Sequence, residues 1–168
     1  AAVEPGGLIF LLGGAIDVIR FEHDVWRSAD AGATWELACD APGWCGRWQH
    51  RAVSLRGELV VVGGFGEQGY CNDVWATVSA GAPPRTAGGA WERVCAAAPW
   101  SPRAMHAALA HRGAAYVLGG YDGARFLNDV WASSDGRRWT RLCHAAPWLP
   151  RRGHSVAAIS SGALVLCG

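Results

Sequence analysis

The sequence has almost no net charge. Its 15 basic residues nearly balance its 14 acidic residues, and the formal charge at pH 7 is +1. Proteins that bind nucleic acids or acidic membranes through electrostatic attraction carry a clustered excess of basic residues. The charge balance therefore gives no electrostatic reason to expect nucleic acid or an acidic membrane as a partner.

Long apolar runs and helical periodicity are also missing. The longest apolar runs, such as residues 8–12 (LIFLL), are far shorter than the roughly 20 residues of a membrane-spanning helix. No basic stretch followed by an apolar core predicts a signal peptide. The chain has instead 23 glycines and short clusters of aliphatic residues and tryptophan, which predict an all-β fold with many tight turns.

The six cysteines do not follow the pattern of a disulfide framework. Cys39, Cys95 and Cys143 each lie four residues after a tryptophan, at one position of a repeated motif. Equivalent positions of neighbouring repeats should be farther apart than the Cα separation of about 7 Å that a disulfide allows. We expect these three to be small buried residues at strand ends. Cys45 and Cys71 both lie in loops, and a disulfide between them is an open alternative.

A motif that recurs about every 50 residues carries most of the information. It contains a double glycine, an Asp-Val-Trp triplet, a Trp-x-x-x-Cys segment, an Ala-Pro element with a nearby tryptophan, and an Arg-x-x-His segment. The double glycines start at residues 13, 63 and 119, the triplets at 24, 73 and 129, and the Arg-x-x-His segments at 47, 103 and 151. Such a period predicts a repeat architecture in which each repeat is one structural unit.

The second repeat illustrates the expected strands. We predict them over residues 50–56, 58–62, 72–78 and 90–95, and we predict a flexible insertion over residues 79–89. The second strand (ELVVV) is almost entirely apolar, which fits a strand buried on both faces between stacked sheets. Gly63 and Gly64 follow it, where a tight turn or a close backbone approach favours glycine.

These segments resemble the kelch-repeat family. The matching elements are VVVGG and YVLGG, each followed by NDVW and a later tryptophan, and the resemblance covers essentially all 168 residues. It implies an all-β fold: a β-propeller segment of four-stranded antiparallel blades, with about three and a half kelch-type blades. The expected blades comprise residues 1–45, 46–100 and 101–148, with a partial blade over 149–168.

Propellers use about 4 to 8 blades. We therefore expect this chain to be part of a longer propeller. Its open edges would contact the remaining blades or mediate self-association.

One segment departs from the kelch pattern, which places a tyrosine two residues after the tryptophan of the triplet. Residues 28–35 (SADAGATW) and 133–139 (SSDGRRW) resemble instead the Asp box of sialidases. We interpret it as a turn device in which Asp30 and Asp135 accept backbone N–H groups, because it joins the two outer strands, far from the axis of a propeller.

In a four-stranded meander, the loops after the second and fourth strands share one face. This loop face collects Trp, Tyr and Arg residues, which are common at binding hot spots. We predict the following partner-binding residues there: Trp48, Tyr70, Tyr121, Asp122, Arg125, Phe126, Arg47, Arg103 and Arg151. The last three repeat with the motif, so locking one blade to the next is their alternative role. We interpret the first six as non-repeating and therefore as the stronger candidates.

Three repeated histidines raise the question of a metal site. His50, His106 and His154 begin successive innermost strands and could line an axial channel. Metal ligands must converge to about 2 Å from one ion, which side chains on separate blades rarely do. We expect each histidine to bond to the backbone of the neighbouring blade, and we predict no metal and no cofactor.

Two functions remain from this pattern. The first is a non-catalytic module that binds a protein or peptide, or alternatively a carbohydrate, through the loop face. The second is the scaffold part of a carbohydrate-active or copper-oxidase propeller enzyme. The resemblance to galactose oxidase would require a copper centre with a cross-linked tyrosine, and the resemblance to sialidases an arginine triad with a Tyr/Glu pair. Only three tyrosines are available, and no GxSxG motif or phosphate-binding glycine loop occurs. No cellular compartment is predicted.

Overall fold

The computed structural model describes residues 2–3, 6–17, 19–78 and 90–168. The insertion predicted over residues 79–89 lies outside the described residues. Within them the regular structure consists of antiparallel β-sheets, which confirms the all-β prediction. This part of the chain contains no helix that is long and apolar enough to cross a membrane.

Three four-stranded sheets follow one another along the chain. The first contains β1 (Ala2–Val3), β2 (Ile9–Ala15), β3 (Phe21–Ser28) and β4 (Glu36–Cys39). The second contains β6 (Arg51–Leu55), β7 (Glu58–Val62), β10 (Val74–Thr77) and β11 (Trp91–Cys95). The third contains β12 (Ala107–His111), β13 (Ala114–Tyr121), β14 (Phe126–Ser133) and β15 (Thr140–Cys143). In each sheet the strands lie side by side in chain order, as the repeat pattern predicts.

Two smaller sheets complete the described strands. A hairpin of β16 (Ser155–Ala158) and β17 (Leu164–Cys167) follows the third sheet. A three-stranded sheet, which the sequence analysis did not predict, is formed by β5 (Arg47–Trp48), β8 (Phe65–Gly66) and β9 (Gly69–Tyr70). It joins the connection before β6 to the hairpin between β7 and β10.

Strand β7 is buried on both faces, as its apolar sequence predicts. Leu59 and Val61 pack into a core that they share with the first sheet, against side chains such as Phe10. Val60 and Val62 point the other way, into a core shared with residues of the third sheet. Because successive side chains of a strand point to opposite faces, β7 contributes to both cores. The three sheets therefore stack face against face.

Tryptophans from the connections reinforce these cores. Trp44, which precedes the second sheet, packs with its ring centroid 6.0 Å from that of Trp91. Trp100, which precedes the third sheet, lies 4.6 Å from Trp139 and 5.8 Å from Trp131. Trp44 and Trp100 are almost completely buried. Each therefore connects the end of one repeat to the next through a large apolar surface.

The cysteines and the Asp-box-like turns have local structural roles. Cys39, Cys95 and Cys143 end the fourth strands of the three sheets and are partly rather than fully buried. Asp30 accepts the backbone N–H of Thr34 at 2.8 Å. At the equivalent position of the third sheet, the carboxylate of Asp135 accepts the backbone N–H groups of Arg137 and Arg138, both at 2.8 Å. These bonds close the turns between the two outer strands.

The double glycine permits a close approach between repeats. Gly63 has a φ of +58°, and a Cβ placed there would lie 2.8 Å from the carbonyl oxygen of Arg103 and 2.9 Å from Cε1 of His106. At Gly64 a Cβ would lie 2.7 Å from the Cβ of His50. The predicted need for glycine is confirmed, because the Arg-x-x-His segments of two repeats occupy the space of the missing side chains.

Gly63→Ala should therefore destabilise the protein strongly. A left-handed conformation costs an alanine about 1–2 kcal/mol, and the clash with the Arg103 carbonyl raises the expected loss to about 3 kcal/mol or more. Gly57→Ala is the matched control, since Gly57 has a φ of +81° but open space around it. Urea denaturation of both variants measures the difference, and equal losses would show that the close approach is unimportant.

Candidate functional site

Two of the predicted arginines are buried in ion pairs. Arg47 donates from Nη1 and Nη2 to the two carboxylate oxygens of Asp73, at 2.7 and 3.0 Å. Its Nη1 also donates to the carbonyl oxygen of Gly63 at 3.1 Å. The same carboxylate accepts the indole N–H of Trp75 at 2.7 Å. One bidentate pair thus joins the Arg-x-x-His segment, the double glycine and the Asp-Val-Trp triplet of a single repeat.

The third repeat contains the same arrangement. Arg103 donates to the carboxylate of Asp129 at 2.6 and 2.9 Å and to the carbonyl oxygen of Gly119 at 3.0 Å. Its own carbonyl oxygen accepts the backbone N–H of Gly64 from the preceding repeat at 2.8 Å. Arg103 therefore bonds to its own repeat through its side chain and to the preceding one through its backbone. This geometry fits the alternative role of Arg103, which is to lock one repeat to the next.

Burial removes these two arginines from the predicted binding surface. Arg47 is 0% exposed and Arg103 is 1% exposed. Burial alone would raise the pKa of Asp73, but the hydrogen bonds and charge of Arg47 outweigh it and hold that pKa below its ordinary value. In each pair the guanidinium and the carboxylate are thus both ionised, and their charges cancel. The placement of Arg47 and Arg103 at a contact surface for a partner is wrong.

Arg151 has a different environment. Its Nε donates to the carbonyl oxygen of Leu149 at 3.1 Å, and its Nη1 donates to the carbonyl oxygen of Gly168. Within the described part of the chain it has no aspartate or glutamate partner like those of Arg47 and Arg103. Its backbone repeats the pattern of Arg103, because its carbonyl oxygen accepts the N–H of Gly120 at 2.9 Å.

Six aromatic side chains form a continuous row, which we name the aromatic ridge; in order along it they are Trp48, Phe21, Phe65, Tyr70, Tyr121 and Phe126. Each ring contacts the next, with centroid distances of 6.3 Å for Trp48–Phe21, 6.2 Å for Phe21–Phe65, 4.9 Å for Phe65–Tyr70, 5.8 Å for Tyr70–Tyr121 and 5.3 Å for Tyr121–Phe126. The ridge crosses three repeats. It brings together the four aromatic residues among those predicted from the sequence.

The ridge arises from two positions of the repeat. Phe65 and Tyr121 directly follow a double glycine, and they pair across the hairpin with Tyr70 and Phe126, respectively. Phe21 lies at the position equivalent to Tyr70 and Phe126, three residues before the aspartate of the triplet. The interpretation of Tyr70, Tyr121 and Phe126 as non-repeating is therefore wrong. Alignment of the hairpins would have found Phe21 and Phe65, which the sequence analysis missed.

Polar residues shape the end of the ridge. The guanidinium of Arg152 lies over the rings of Tyr121 and Phe126, at 5.3 and 5.4 Å from their centroids. Asp122 accepts the backbone N–H groups of Ala124 and Arg125 at 3.0 and 2.8 Å, so its carboxylate holds the hairpin closed. The Arg125 side chain is 78% exposed, with Nε 3.6 Å from Asp122.

A cavity of about 380 Å³ opens beside this end of the ridge. Its lining includes Arg125, Phe126, Trp131, Arg141 and His144. The cavity combines aromatic surface with exposed cationic side chains. It is large enough to accept a side chain from a bound partner.

The three repeated histidines are internal. Both ring nitrogens of His106 lack a hydrogen-bond partner in the described structure, and its ring packs against Gly63. The expectation of a backbone hydrogen bond is wrong for His106. Burial lowers the pKa of His106 well below its ordinary value and that of His50 to about 3, and it also lowers the pKa of His154. Among the described residues, no group of three His, Cys, Asp or Glu side chains is placed to hold a metal ion.

Four-stranded antiparallel sheets that follow one another in sequence and stack on shared cores define a β-propeller segment. Residues 1–168 match the family model described as the KLHDC2/KLHL20/DRC7 Kelch-repeats domain. The chain therefore belongs to the Kelch-repeat family. Domains of this family commonly bind proteins and are generally non-enzymatic.

The buried histidines make stability dependent on pH. The unfolded chain binds protons to histidine near pH 6.5, whereas the folded chain keeps these rings neutral to a lower pH. Stability should thus be fully present above pH 6.5 and fall below it, by up to about 1.4 kcal/mol per pH unit for each histidine. Urea denaturation at pH 7.5, 6.5 and 5.5 measures this slope.

His106→Gln should reduce the slope, because it removes one of the groups that bind a proton only on unfolding. His144→Gln is the control, since His144 is exposed. An unchanged slope in His106→Gln would contradict the assignment of the acid sensitivity to this buried ring.

Proposed function

We propose that the chain is a non-catalytic module that binds a protein or peptide through the aromatic ridge. The observation that carries the proposal is the continuity of the six rings across three repeats, with two arginine side chains at one end. Tyr, Trp and Arg dominate binding hot spots because they offer large, rigid surfaces with polar edges. The membership in the Kelch-repeat family supports the same function, because its domains commonly bind proteins.

The proposed contact surface comprises Trp48, Tyr70, Tyr121, Phe126, Arg125 and Arg152. Asp122 contributes by closing the hairpin that presents Tyr121 and Phe126. The cavity beside Arg125 would accept one side chain of the partner. A row of rings with a cavity at its end suits an extended segment better than a compact small molecule, because successive residues can contact successive rings.

The fate of the repeated arginines supports a non-catalytic role. A sialidase-like centre would need three arginines that reach a substrate carboxylate. Arg47 and Arg103, two of the three candidates, are buried and already occupied by Asp73 and Asp129. These two guanidinium groups stabilise the fold and are therefore not free to bind a substrate carboxylate.

Substitutions in the ridge should weaken binding without unfolding the chain. The 168-residue chain would be immobilised and used to select ligands from a random peptide display library. We expect Tyr121→Ala and Arg152→Ala each to raise the Kd of the selected peptides about tenfold or more, because hot-spot side chains contribute that much. Fluorescence anisotropy of labelled peptides measures the Kd, and thermal denaturation monitors folding.

Trp35→Ala is the matched control for this experiment. Trp35 is an aromatic residue that is 41% exposed, but it lies in the turn between β3 and β4, outside the ridge. Its substitution should change the Kd less than twofold. Peptides that respond to Trp35→Ala and not to the ridge variants would contradict the proposed site.

We further propose that the outer faces of the terminal sheets contact additional blades or a second copy of the chain. Apolar side chains are exposed there, including Leu11 at 48%, Ile159 at 48% and Val165 at 39%. Such surfaces favour association.

Static light scattering during size-exclusion chromatography should therefore give a mass that rises above 17.8 kDa as the concentration increases. Val165→Lys should lower this mass, because it places a charge on the exposed apolar face. A monomer at every concentration would contradict self-association.

A further inference from the structure

The sulfur atoms of two free cysteines lie near the paired glycines Gly66 and Gly69 of the three-stranded sheet. Cys45 lies two residues before Arg47 of β5, and Cys71 follows Tyr70 of β9. Strand β8 lies between these strands, and a Cβ on Gly66 of β8 would lie 3.6 Å from the Cys45 sulfur. The Cys71 thiol contacts the carbonyl oxygen of Gly69, and Gly69 pairs with Gly66 across β8 and β9. The small sheet thus positions two residues that are 26 apart in sequence, 45 against 71.

The two thiols differ in accessibility. Cys45 is exposed, whereas Cys71 is partly buried and donates to the carbonyl oxygen of Gly69 at 3.6 Å. The Nη2 of Arg47 donates to the Cys45 sulfur at 3.4 Å, which places a hydrogen-bond donor and a positive charge beside that sulfur.

We propose that Cys45 and Cys71 are an oxidative modification site at which a low-molecular-weight disulfide forms a reversible intramolecular disulfide. The Cys45 thiolate attacks one sulfur of glutathione disulfide, which releases one glutathione thiolate and leaves Cys45 glutathionylated. The Cys71 thiolate then attacks the Cys45 sulfur and releases the second glutathione. Two protein thiols are oxidised, one glutathione disulfide is reduced to two glutathione molecules, and the two protons pass to the released thiolates.

The order of the two steps follows from the surroundings of each sulfur. Cys45 is the more exposed of the two and is therefore the first to meet glutathione disulfide from solution. Burial raises the pKa of Cys71 to about 11, partly offset by the charge of Arg47, so Cys71 is the slower resolving thiol. A glutathionylated intermediate at Cys45 should therefore precede the intramolecular disulfide.

The disulfide would bear on the proposed binding surface, and this consequence rests on the proposed function. Cys45 is three residues from Trp48 and Cys71 is adjacent to Tyr70, both in the aromatic ridge. A bond between them would fix the two segments that present these rings. Formation of the disulfide can be tested without any binding partner, so its failure is distinguishable from failure of the proposed function.

The experiment treats the folded 168-residue chain with glutathione disulfide and follows each cysteine by peptide mapping with mass spectrometry. Cys167 is the internal control, because it is the other exposed cysteine and has no adjacent thiol in the described structure. We expect Cys167 to remain glutathionylated, while Cys45 loses its glutathione and becomes linked to Cys71. In Cys71→Ser, Cys45 should stay glutathionylated; in Cys45→Ser, Cys71 should remain a free thiol.

Two results would overturn the proposal. One is stable glutathionylation of Cys45 in the unsubstituted chain, with Cys71 still reduced. The other is oxidation of Cys71 at an undiminished rate in Cys45→Ser. Cys39→Ser, a substitution of a cysteine at a different strand end, should leave the reaction unchanged and controls for the loss of a thiol.

Discussion

The buried Arg–Asp pair is the interaction on which the rest of the structure depends. In the second and third repeats one guanidinium neutralises one carboxylate and also donates to the carbonyl oxygen of a glycine. A charge that is buried without such a partner would cost several kcal/mol. The pair therefore fixes three segments relative to one another: the connection between repeats, the turn after the second strand and the start of the third strand.

The aromatic ridge follows from the same constraint. Trp48 is the neighbour of Arg47, Phe65 comes two residues after Gly63, and Tyr70 lies three residues before Asp73. The three segments held by the buried pair are thus those that present the rings of the ridge. The double glycine lets the next Arg-x-x-His segment approach, so the hairpin of one repeat reaches the hairpin of the following one. Residues that hold the fold and residues of the proposed contact surface are in this way neighbours in sequence.

Much of the fold was predictable because its signals are local and repeated. The apolar run of β7 and the glycine pair after it identified a strand with two buried faces and a close approach. The small sheet of β5, β8 and β9 was not predictable, because it consists of two-residue strands without any hydrophobic period. The burial of Arg47 and Arg103 was missed as well, because arginine is usually exposed and its partner aspartate is 26 residues away. Tyr121 and Phe126 were found by residue type, whereas their continuity with Phe21 required the positions of neighbouring repeats.

The buried pair, rather than either residue alone, holds three segments of one repeat together. A double-mutant cycle with Arg103→Ala, Asp129→Ala and the double variant, followed by urea denaturation, tests it most directly. The more exposed pair Arg27–Glu36, with side chains 24% and 62% exposed, serves as the reference cycle. We predict a coupling free energy of about 2 kcal/mol or more for Arg103–Asp129 and below about 1 kcal/mol for the exposed pair. Equal coupling in the two cycles would contradict the account.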